Sequence, residues 1–70
     1  YITLINNAVK FNNLEILKFL LTQPQAKNTL LLNKLLKIAK DLEHKKIETT
    51  LSLKIADNLN KVNFSLSSKH

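Results

Sequence analysis

The sequence predicts an all-α protein of two stacked antiparallel helical hairpins, and three observations predict it. Apolar residues recur at steps of three and four along most of the 70-residue chain, the period of one helix face. Glycine is absent, which argues against a hairpin-rich β fold, whose tight turns favour it. The two halves also overlay at a constant offset of 31 residues: Ile5 falls on Leu36, Ala8 on Ala39, Ile16 on Ile47 and Leu20 on Leu51. Alanine at the same place in both first helices lets a neighbouring helix approach closely, while the aliphatics fill the groove beside it.

The elements follow in order. Thr3 is the expected N-cap of a first helix that carries Leu4, Ile5, Ala8, Val9 and Phe11 at helical spacing. Asn12 and Asn13 interrupt it, because Asn tolerates positive φ and also caps helices. Asn12 with Glu15 approximates a capping box for the next helix. That helix carries Ile16, Leu17, Phe19, Leu20 and Leu21 and ends at Pro24, which lacks an amide proton and disfavours helix before it. Two helices of about nine residues joined by so short a break read as an αα-hairpin.

Residues 22–29 form a loop, and Asn28 or Thr29 caps a third helix. There Leu31, Leu35, Ile38 and Leu42 step by four, three and four, and Leu32, Leu36 and Ala39 widen the stripe. After a charged break from Asp41 to Lys46, a fourth segment carries Ile47, Leu51, Ile55 and Leu59. Residues 63–70 lack periodicity and are expected to fray. The helical region is therefore 1–62, with a first hairpin over about 3–25 and a second over about 29–60.

Composition narrows the function. At 44% hydrophobic and 23% charged the chain has enough apolar surface to build a core. The absence of Cys removes a disulfide framework and thiolate metal sites, and the absence of Gly removes phosphate-cradling loops. No metal-ligand spacing occurs and no cofactor is expected. The two His, 44 and 70, pair with no nucleophile by position, and Ser65, Ser67 and Ser68 fall in the tail, so no enzymatic activity is expected. His44 reads as an inter-helix turn residue.

Net charge is +6, and every cation is lysine. Lys34, Lys37 and Lys40 share a helix face, with Lys45 and Lys46 beyond it. Such a stripe can meet phosphates or an anionic membrane, and Leu30 to Lys40 alone looks like an interfacial helix. A solvated outer face is the stronger reading, because Arg for base contacts is missing and Phe11, Phe19 and Phe64 are not interleaved with the lysines.

The first hairpin resembles a known family. Thr3-Leu4-Ile5-Asn6-Asn7-Ala8 looks like the ankyrin repeat's T-P-L-H-x-A. Asn12 to Leu21 is similar to that repeat's G-H-x-E-V-V-K-L-L-L. The second unit, Lys34 to Ser52, resembles it more loosely, through Leu36, Ala39, His44, Ile47 and Leu51. Leu4 replaces the helix-starting proline, Asn6 the histidine, and Asn12 and Glu43 the inter-helix glycine. The linker lacks G-A-D-x-N, so the resemblance implies an ankyrin-like α-solenoid fragment with its hairpin fingers shortened or absent.

The resemblance also implies a function, a non-catalytic protein-interaction module within a larger multidomain protein. Contact positions in such arrays follow the repeat's alanine by two and three residues, which makes Lys10 and Phe11 candidates in the first unit and Asp41 and Leu42 in the second. Asn6 and Lys37, at the motif's histidine position, are secondary candidates. Phe11 reads equally as a core residue, since it shares a helix face with Leu4 and Ala8. The expected partner is another protein, of acidic character given the charge, rather than nucleic acid or membrane. Two units are few for such an array, so upstream units, a longer final helix or self-association would complete it. The first residue is Tyr1, which fits a piece of a longer polypeptide. The expected setting is intracellular, including delivery into a host cell, since such repeats occur in secreted bacterial effectors. The alternatives are a basic bundle for nucleic acid or anionic membrane, and a structural cap on an upstream domain.

Overall fold

The computed structural model describes the backbone of residues 1–67 and the side chains of residues 1–60. The described residues are helical without a strand: α1 (Ile2–Lys10), α2 (Leu14–Leu21), a short 3-10 helix (Pro24–Lys27), α3 (Thr29–Asp41) and α4 (Lys45–Ser67). α1 packs on α2 and α3 on α4; across the pairs, α1 packs on α3 and α2 on α4.

Local chemistry places the two breaks. Asn12 and Glu43 take φ of 57° and 59°, the left-handed region that allows a helix to turn off. Each closes a Schellman motif. The Asn13 amide donates to the Ala8 carbonyl at 2.8 Å and the Asn12 amide to Val9 at 3.3 Å. The His44 amide donates to Ala39 at 3.0 Å and the Glu43 amide to Lys40 at 3.1 Å. All four donors and acceptors correspond at the 31-residue offset. The alanines thus serve twice, as buried small residues and as the acceptors that end their helices.

Two helix starts differ from expectation. α1 begins at Ile2 behind Tyr1, ahead of Thr3, with no side-chain cap. α2 is capped by Asn13, whose side chain accepts from the Ile16 amide at 3.3 Å. Asn12 cannot fill that role because it already holds the left-handed position. Asn28 caps α3 by accepting from the Leu31 amide at 3.3 Å. In the linker Pro24 opens the 3-10 helix, where its missing amide costs nothing, and Ala26 is fully buried.

One core joins all four helices. α1 contributes Ile5, Ala8 and Val9, and α2 contributes Leu17, Leu20 and Leu21. α3 contributes Leu32, Leu35 and Ala39, and α4 contributes Ile47 and Leu51. The line of burial on α3 is rotated from the expected stripe: Leu31 and Ile38 are half-buried and Leu42 is exposed. α3 receives α1 and the linker as well as α4, so its covered side is set by three neighbours. α4 continues to Ser67, past the expected end of the helical region at residue 62. Residues 45–67 hold no Gly or Pro to stop it. Residues 68–70 of the expected tail lie outside the described residues.

Candidate functional site

Two turns build the candidate surface. Lys10 ends α1 and Phe11 follows it as C-cap; Asp41 ends α3 and Leu42 follows it as C-cap. The two pairs correspond at the 31-residue offset, and α1 packs on α3. Phe11 is 77% exposed and Leu42 46% exposed, so the core alternative for Phe11 is set aside. The reason is geometric. Phe11 sits just past the last helical residue, in the stretch that swings the chain into the next helix, and no longer follows the face of Ala8.

Lys10 and Asp41 are exposed neighbours of these apolar residues and carry opposite charges. Lys10 complements the negative end of the α1 dipole, whereas Asp41 opposes that of α3, at a cost of a few tenths of a kcal/mol. Asn6 and Lys37 also correspond at the offset. Lys37 is exposed, while Asn6 is half-buried and its Nδ2 donates to its own helix at the Ile2 carbonyl, 2.9 Å away. Five of the six expected contact residues therefore have free surface, and Asn6 is committed locally.

The rest of the surface offers little chemistry. A shallow open cleft of about 430 Å³ lies between Tyr1, Ile2, Pro24, Gln25, Asn28 and Leu31. The Tyr1 hydroxyl already donates to the Leu20 carbonyl at 2.9 Å, and desolvation holds its pKa above the ordinary value of 10.0. Among the described residues no three or more His, Asp or Glu gather as a metal site. No described helix is long and apolar enough to cross a membrane. No protein-family model, curated protein or solved structure matches the chain.

Residues that join the two pairs were not visible in the sequence. His44 is a turn residue, as expected, but its Nδ1 also lies 2.9 Å from the Val9 carbonyl at the end of α1. A carbonyl only accepts, so this nitrogen carries the proton and donates. Asn58 Nδ2 donates to the Ala26 carbonyl at 3.1 Å, fastening α4 to the linker. The one hint in the sequence is that His44 corresponds to Asn13, a pure capping residue; the longer side chain at the second position can reach back.

Proposed function

We propose that this chain is a protein-interaction module of two ankyrin-like helical hairpins, stacked side by side, without chemistry of its own. Stacking is supported by the matching turns 31 residues apart and by the pairing of α1 with α3 and α2 with α4. The observation that carries the functional reading is the pair Phe11 and Leu42. Two large apolar side chains stand in water at corresponding positions of neighbouring helices, each beside a charge. Apolar anchors flanked by charges, on a scaffold already ordered, bind a partner at low entropic cost. The +6 charge favours an acidic protein and speeds encounter at low salt. An intracellular setting within a larger protein fits this role and the absence of cysteine.

The test compares proteins recovered on the immobilised chain with those recovered on Phe11→Ala/Leu42→Ala and on Leu53→Ala, an exposed control on α4. The reading expects recovery to be lost in the double variant alone, with helical circular dichroism unchanged in both. Binding to nonspecific DNA or anionic vesicles that collapses at moderate salt, with no protein recovered, would replace it with the basic-bundle alternative.

A further inference from the structure

The two breaks between helices share a backbone pattern and differ in chemistry. At the first, Asn12 takes the left-handed position, Asn13 caps α2, Lys10 lies at the negative end of α1 and Glu15 at the positive end of α2. At the second, the same positions are filled unfavourably. Glu43 holds the left-handed position at φ 59°, a strained one for a residue other than Gly, Asn or Asp. Asp41 lies at the negative end of α3, and Lys45 and Lys46 crowd the positive end of α4 against Glu48 alone. Asp41, Glu43, Lys45 and Lys46 are all exposed, so burial does not account for these choices.

The same residues suit the middle of a helix. Glu and Lys are strong helix formers, and residues 29–67 hold no Gly or Pro. With the break straightened, Asp41 stands four residues before Lys45 and Glu43 three before Lys46, both in the favourable acid-before-base order. The Glu43 and His44 amides exchange their present acceptors, Lys40 and Ala39, for Ala39 and Lys40, so neither bond is lost. The amides of Lys45, Lys46 and Ile47 gain the carbonyls of Asp41, Leu42 and Glu43, groups that the two helix ends leave without an intrahelical partner. What holds the turn closed is the bond from His44 to Val9 and the packing of α4 on α3 and α2. A second chain can restore that packing with its own α4.

We propose that two copies of this chain exchange α4. In each, α3 and α4 fuse through residues 42–44 into one helix of about 58 Å, and each α4 packs on α3 and α2 of the other copy. A short connection under strain favours such an exchange. The second copy is the occupant because the surface that receives α4 is the one α4 already covers, including the Ala26 carbonyl that Asn58 reaches. The first break is not a hinge of this kind, since Asn12 and the Asn13 cap leave little strain to relieve.

For the test, the chain is refolded at about 1 mM in about 0.5 M salt, which screens its +6 charge, and its mass is read by sedimentation. A dimer should form. Glu43→Gly relieves the turn and disfavours the continuous helix, so the association constant should fall at least about tenfold; Asn12→Gly should leave it unchanged. Spin labels at Asn33→Cys and Ser52→Cys, exposed positions on α3 and α4 in a chain without other cysteines, separate exchange from surface association. Labelled chains are diluted in unlabelled ones so that only pairs within a chain are read. Their separation along the helix axis should be about 28 Å in the dimer, against helices about 10 Å apart in the monomer. The proposal is overturned by a chain that stays monomeric, by a dimer with the monomer's label distance, or by an association constant that Glu43→Gly and Asn12→Gly change alike.

Discussion

The α1–α2 pair and the α3–α4 pair turn alike and are used differently. Both first helices end on an alanine carbonyl within a Schellman motif, and both second helices start two residues after a left-handed residue. Yet only Ala8/Ala39 and Leu20/Leu51 are buried at corresponding positions of both pairs. Ile16 is half exposed where Ile47 is buried, and Leu17 is buried where Glu48 takes its place. The two turns therefore match at the 31-residue offset, while burial at most corresponding positions does not. An apolar residue at a repeated position gains stability only when something covers it.

The largest expected effect breaks the comparison at Leu35 and Leu4. Leu35→Ala removes a fully buried side chain and should cost about 2–5 kcal/mol, enough to unfold so small a chain. Leu4→Ala, at the corresponding exposed position, should stay within about 0.5 kcal/mol. Urea unfolding followed by circular dichroism reads both; similar losses would mean that the two positions share an environment.

The two left-handed residues sharpen it. A glutamate in that region is strained by roughly 1–2 kcal/mol, while Asn visits it more readily. Glu43→Gly should therefore stabilise the chain by up to about 1 kcal/mol, and Asn12→Gly by less. A larger gain at Asn12 would contradict the account of the turns.

His44 and Asn13 test what differs between the turns. His44→Ala should cost about 1 kcal/mol by removing the bond to Val9, and its effect should depend on contact between the pairs. Asn13→Ala should cost a similar amount through loss of the α2 cap. Hydrogen exchange separates them: the first loosens the end of α1 together with the start of α4, the second α2 alone.

The alkaline limb of stability depends on Tyr1. Its folded pKa lies above the unfolded value because burial disfavours the phenolate. Its contribution is fully present below the unfolded value of about 10 and is lost as pH rises through the higher folded value. Tyr1→Phe should flatten that alkaline limb and cost about 0.5–1.5 kcal/mol at neutral pH through the lost bond to Leu20. Tyr1 is the only tyrosine, so phenolate absorbance reports its titration directly.

Much of the molecule was legible beforehand. Spacing gave the helices, Asn28 was one of the two caps open for α3 and Pro24 closed the first pair, because each acts through bonds within a few residues. Phe11 and Leu42 were paired only by the family resemblance; spacing set both on helix faces, whereas each is the C-cap just past its helix. Their exposure was another matter: Phe11 reads as core or surface on spacing alone, and the deciding fact is that it lies past the end of α1. The rotated stripe on α3 was equally hidden, since α1 and the linker press on it from residues far away in sequence.

By itself the sequence determined the all-helical character, the two matching turns and the excess of lysine, all consequences of local backbone preference and composition. Only the tertiary structure decided that Leu35 is core while Leu4 is surface, and that His44 reaches Val9. Burial depends on which helix lies alongside, and a 31-residue pattern written twice carries no record of which copy has a neighbour on which side.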